Sequence, residues 1–126
     1  MDKEKLELIQ QEFRPLVEQL DLLAVLLFGS QASDEANPDS DIDICIVVGS
    51  ESRDFQEILS QIWKKVGGKY DLWLFEELTI NVQSTILENY KIIICDDPPE
   101  LGEYFYPYYK KVKTFKHRLK VAYGEY

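Results

Sequence analysis

The sequence predicts one α/β domain, and three observations carry that expectation. Helical and strand-like apolar patterns alternate along the chain. The strand-like runs are short and bounded by Gly, Pro or Asp. At 126 residues, with 45% hydrophobic and 13% aromatic side chains, the chain is long enough for one core and too short for two ordinary domains.

Residues 3–20 place Leu6, Ile9, Phe13, Leu16, Val17 and Leu20 at the spacing of a helix with one buried stripe. Pro15 interrupts the stripe and predicts a kink or a split. Leu22–Gly29, LLAVLLFG, is too short for a typical helix and reads as a central strand. Ser30–Ser40 predicts a helical turn followed by an Asn-Pro-Asp-Ser loop. Asp41–Val48 alternates at its start and predicts a second strand. Phe55, Ile58, Leu59, Ile62 and Val66 mark a helix over 52–66, stopped by Gly67-Gly68. Lys69–Phe75 is a third strand, 78–90 a short helix, and Lys91–Cys95 a fourth strand. A final helix is expected from about Pro107 to Ala122. The domain expectation is 1–126 as one unit, with a core at about 20–95 and a basic-aromatic C-terminal segment at about 103–123.

Charge is uneven. Residues 103–126 hold six basic and two acidic side chains, a net +4, whereas the first 102 hold 8 basic and 21 acidic, a net −13. A pI near 4.6 argues against direct binding to DNA, whose affinity comes largely from basic groups meeting phosphates. It leaves room for a small phosphorylated substrate carried in with divalent metal. No apolar run approaches the ~18–20 residues of a membrane span, and the start, MDKEKLELIQQEF, is not a signal peptide. Cys45 and Cys95 lie in apolar runs, as reduced core thiols of a cytoplasmic protein do.

The chemistry concentrates in LLFGSQASDEANPDSDIDICIVV. Gly29-Ser30 closes a strand and leads toward a helical turn, which gathers backbone N–H groups and a hydroxyl where a phosphate can sit. Ten residues later come Asp41 and Asp43, two apart on a strand and therefore on one face, close enough to share hard cations. Asp71 adds a third carboxylate, expected within a strand, where a charge is costly without a partner or a metal. An EF-hand starting at Asp39 fails, because Ile44 and Ser50 occupy the places of its glycine and glutamate. Haloacid-dehalogenase-type phosphatases and many glycosyltransferases carry Asp-x-Asp after a hydrophobic strand, and here the strand follows it. A P-loop fails for want of a lysine after a Gly-rich turn.

Gly-Ser, ten residues, Asp-x-Asp and a later strand aspartate resemble the polymerase-β-like nucleotidyltransferases. In length the chain is similar to their minimal nucleotidyltransferase (MNT) family, whose members are often the antitoxins of HEPN–MNT toxin–antitoxin pairs. The resemblance spans roughly residues 20–95. It implies a mixed sheet of about four strands flanked by helices, and a site for ATP and two Mg²⁺. Gly29 and Ser30 would hold the triphosphate, and Asp41 and Asp43 the metal ions. Asp71 would bind the catalytic metal and help deprotonate the acceptor. The implied reaction moves AMP from ATP to a hydroxyl, in antitoxin members a tyrosine of a HEPN toxin. Two other readings share the fold: a non-catalytic antitoxin that neutralises by binding alone, and a small-molecule transferase of the aminoglycoside type. The last needs an acceptor pocket that a homo- or hetero-oligomer would have to supply. Gln31-Ala32-Ser33-Asp34 stands where many relatives carry arginine and glycine, which removes a basic contact and adds a negative charge.

Strand parity adds an expectation independent of family. Asp43, Cys45 and Val47 share one strand face, and Asp71, Trp73 and Phe75 share another. If the carboxylates converge, Cys45, Val47, Trp73 and Phe75 form an apolar shelf that the last helix or a partner must cover. In that helix Lys110, Lys111, Lys113 and Arg118 could meet phosphates or an acidic partner. Tyr104, Tyr106, Tyr108 and Tyr109 would then be interface anchors, the alternative being a solvated basic face. His117 is expected at the surface.

Overall fold

A computed structural model describes residues 2–29 and 42–124. The chain forms α1 (Lys3–Leu20), β1 (Ala24–Phe28), β2 (Asp43–Val47), α2 (Phe55–Val66), β3 (Asp71–Leu74), α3 (Ile80–Asn89), β4 (Lys91–Ile94) and α4 (Pro98–Ala122). Short 3₁₀ turns at Gly67–Lys69 and Phe75–Glu77 bracket β3. The strands make one sheet in the order β3-β2-β1-β4. β1 pairs antiparallel with both β2 and β4, and β2 pairs parallel with β3. The mixed four-stranded sheet flanked by helices is therefore as expected.

β1 is buried along its whole length, which explains its uninterrupted apolar run: both faces of a central strand meet helices. The period of two sorts the strands into two cores. Val25, Leu27, Ile44, Ile46 and Leu74 pack with Ile9, Phe13 and Leu16 of α1 and Ile58 and Ile62 of α2. On the opposite face, Ala24, Leu26, Phe28, Cys45, Val47 and Phe75 pack with Ile86 of α3 and Leu101, Phe105, Tyr108 and Val112 of α4. Each fully buried apolar side chain in these layers contributes roughly 1.5–3 kcal/mol. The cover for the apolar shelf is therefore α4, with α3 beside it, although Trp73 stays 42% exposed. Among the described residues no helix is long and apolar enough to cross a membrane. Cys45 is buried, Cys95 partly so, and both thiols are free; burial pushes the Cys45 thiol up, away from the reactive thiolate.

Three boundaries differ from expectation. α1 runs unbroken through Pro15, because Pro15 and Gln11 lie on its exposed side, where water can take the carbonyl that the ring leaves without a partner. α4 begins at Pro98, not near Pro107. Asp97 caps it by accepting from the Glu100 N–H at 3.1 Å, and prolines in the first turn forfeit no helical bond. Pro107 is tolerated in the middle on the exposed face. β3 is shorter than 69–75, because Gly67–Lys69 and Phe75–Glu77 wind into turns.

Three tyrosines of α4 bond within the chain. Tyr104 donates to Glu76 at 2.6 Å, and Tyr108 to Glu51 at 2.6 Å. Glu76 in turn accepts from the backbone N–H groups of Val48 and Gly49, at 3.1 and 3.0 Å. Tyr109 donates to the Leu87 carbonyl at 3.1 Å. These three hydroxyls anchor α4 internally, and Tyr106 is the outward member of the set.

The network gives the fold an alkaline limit. Burial, then the hydrogen bond to Glu51, pushes Tyr108 up from 10 to about 12; burial and Glu76 also raise Tyr104. The unfolded chain loses these protons first as pH rises. The stabilisation is therefore whole below pH 10 and drains away toward pH 12. Urea midpoints measured across that interval should fall for the wild type and fall less steeply for Tyr108→Phe. Equal slopes would remove Tyr108 from the effect.

Candidate active site

The first residues of β2 and β3 are both aspartates, and the parallel register sets Asp43 directly beside Asp71. Both belong to the face that carries Cys45 and Trp73. Parallel neighbours lie ~4.8 Å apart, so two carboxylates occupy one small volume. Like charges so placed repel, and a bound cation or a donor relieves them. Part of the relief is visible: the Trp73 indole N–H donates to Asp43 Oδ1 in a long bond of 3.4 Å. Trp73 also meets Phe28 edge-on, with ring centroids 6.5 Å apart. Parity places Trp73 in the apolar shelf beside the carboxylates; its donor role emerges only when β2 and β3 are aligned.

Gly29 completes the arrangement. Phe28, at the end of β1, pairs with Asp43, which brings the following glycine alongside the carboxylate. A Cβ at Gly29 would stand 2.6 Å from Asp43 Oδ2, and its φ of +75° lies where L-residues are strained. The glycine is thus required twice: to turn the chain after β1 and to leave room for Asp43.

Asp71 departs from expectation in one respect. It is exposed and stands at the first position of β3 rather than inside it, so the burial argument for a partner does not apply. Its adjacency to Asp43 is what singles it out. Ser30 and Asp41 lie outside the described residues. Among the described residues no three His, Cys, Asp or Glu side chains gather closely enough to hold a metal ion; Asp43 and Asp71 stand as a pair of carboxylate residues at adjoining strand starts.

The mixed four-stranded sheet flanked by helices, with aspartates at adjoining strand starts beside the Gly29 turn, is that of a small α/β nucleotidyltransferase-like domain. The family described as "Polymerase beta, Nucleotidyltransferase" matches residues 11–99. This chain belongs to that nucleotidyltransferase family. A relative from Methanocaldococcus jannaschii, named "Putative protein adenylyltransferase MJ1547", is 38% identical over 99 residues, 79% of this chain and 76% of the relative. Two solved structures share the fold. One is a toxin–antitoxin crystal structure with AMP-PNP, with TM-score 0.59, 14% identity and 90% of each chain covered. The other is the tri-AMPylated Shewanella oneidensis HEPN toxin in complex with MNT antitoxin, with TM-score 0.59, 15% identity, and 93% of this chain and 91% of the other covered. At those identities the likeness is one of fold.

Proposed function

We propose that this nucleotidyltransferase is an MNT-type protein adenylyltransferase, moving AMP from ATP to a hydroxyl on a partner protein, with a HEPN-like toxin as the acceptor class. The observation that carries the reading is the register of Asp43 against Asp71 beside Gly29. The name of the 38% identical relative supports adenylyl transfer, and the fold shared with toxin–antitoxin structures supports the partner class.

The residues present fit Mg²⁺: adjoining carboxylates offer hard oxygen ligands, with Asp43 and Asp71 on the described strands and Asp41 two positions before Asp43 in the sequence. Mg²⁺ held there, two ions in the expected case, would supply positive charge for the phosphates and acidify the acceptor hydroxyl. The protein's own contribution is placement. Gly29 and Ser30 receive the triphosphate. Asp71 takes the hydroxyl proton while the acceptor oxygen bonds to the α-phosphorus. The bond from that phosphorus to the oxygen bridging toward the β-phosphate breaks, and pyrophosphate leaves with the electron pair.

The test follows label from α-³²P-ATP. Purified protein with Mg²⁺ should bind ATP in calorimetry and transfer label to a co-purified protein through a hydroxyl linkage. EDTA should abolish both effects. Wild-type protein that binds no ATP in the presence of Mg²⁺ would overturn the reading.

A further inference from the structure

Among the described residues β3 is the outermost strand on its side of the sheet. The Asp71 N–H turns inward to the Ile42 carbonyl at 2.9 Å. Peptide groups alternate in direction along a strand, so the N–H and C=O of Leu72 point out from the free edge. Beneath that edge, α2 presents Gln56, Leu59, Ser60 and Trp63, the spacing of one helical stripe. This stripe lines an open groove of 510 Å³ together with Tyr70, Asp71 and Leu72. Trp63 is 55% exposed although it is the largest apolar side chain of α2. The helix layer is thus wider than the sheet above it. Among the described residues an unpaired strand edge and an uncovered helical stripe coincide, and together they leave the width of one further strand.

We infer that an extended segment of the acceptor protein pairs with β3 through Leu72 and lays alternate apolar side chains on Trp63 and Leu59 in the groove, while a side chain between them turns to the opposite face and carries its hydroxyl to Asp71. The inference rests on the adenylyl-transfer reading and adds how the acceptor is recognised. Two arguments choose the occupant. The first is position: across this end of the sheet run Gly29 on the β1 side, Asp43, Asp71 and then the groove. In-line displacement puts attacking and leaving oxygens on opposite sides of the phosphorus. With the triphosphate at Gly29, the hydroxyl arrives from the groove side. The second is charge: the lining is neutral except for Asp71. That composition suits an uncharged extended segment offering a hydroxyl donor and disfavours an anionic nucleotide. Backbone pairing with alternate side chains in a groove is an established way of holding an extended peptide.

A seven-residue uncharged peptide, acetyl-Ser-Thr-Val-Tyr-Val-Thr-Ser-amide, serves as the probe, read by NMR of the full chain. Binding should shift the Trp63 indole resonance and slow hydrogen exchange at the Leu72 amide. Trp63→Arg and Ser60→Arg should each weaken binding at least about tenfold, because both place a long cation in the groove from an exposed helix position. Having two variants guards against a fold defect in either one, and thermal unfolding identifies such a defect. Peptide binding that leaves Leu72 and Trp63 unmoved overturns the inference. So does a dimer in sedimentation that buries β3 without peptide, since the occupant would then be a second copy. Label transfer from α-³²P-ATP is scored separately: a peptide that docks at Leu72 but never receives AMP counts against the adenylyl-transfer reading, not against the groove.

Discussion

Asp43→Ala is expected to lower AMP transfer by about 10³-fold or more while the fold persists. The carboxylate sits between the Gly29 turn and Asp71, and on the proposed reading the phosphate and acceptor ends meet through it. Phosphoryl-type transfer depends almost wholly on positioning and charge stabilisation, and loss of a group that organises both is among the largest single effects known for such sites. Stability should move little. The substitution loses the 3.4 Å indole bond, but it also removes one of two like charges standing side by side in register, a pairing that costs roughly 0.2–1 kcal/mol. A variant within about 1 kcal/mol of wild type in urea and inactive in label transfer is the expected pair of results. Retained transfer would place the metal-binding centre elsewhere.

Asp71→Asn is expected to abolish transfer within detection, a loss of about 10² to 10³-fold, without a measurable change in stability. Asparagine keeps the shape but carries no charge for a cation and does not take up the acceptor proton. Asp71 is exposed, and exposed substitutions away from packing usually stay within about 0.5 kcal/mol. Because the variant still holds Asp43 and Gly29, Mg²⁺-dependent ATP binding should survive better than in Asp43→Ala. Calorimetry beside label transfer therefore separates a positioning loss from a binding loss. Labelling at the wild-type rate in Asp71→Asn would take the proton-accepting role away from this residue.

The legible parts were those governed by local periodicity. Apolar stripes in α1 and α2 follow the helical repeat, and each ends at a cap or breaker the chain carries in plain view, such as Asp54 before α2 and Gly67 after it. β1 is read from its unbroken apolar run because a strand covered on both faces has no polar alternation to display. Parity along β2 placed Cys45 and Val47 on the side away from Ile44 and Ile46, and the two cores divide along that line. The start of α4 is not legible in the sequence, since two consecutive prolines signal a break as strongly as they signal a first turn. Only the Asp97 side chain on the Glu100 N–H decides between them.

The amino-acid order alone determined the element types and the faces they bury, because those properties repeat over a few positions of chain. Pairing settled the rest. That Asp43 and Asp71 adjoin, that Gly29 must lack a side chain to leave room for Asp43, and that β3 ends the sheet above an uncovered stripe of α2 all depend on which strands lie together and in what register. Such contacts join residues separated by many positions in the chain, and no local pattern encodes the distance between them.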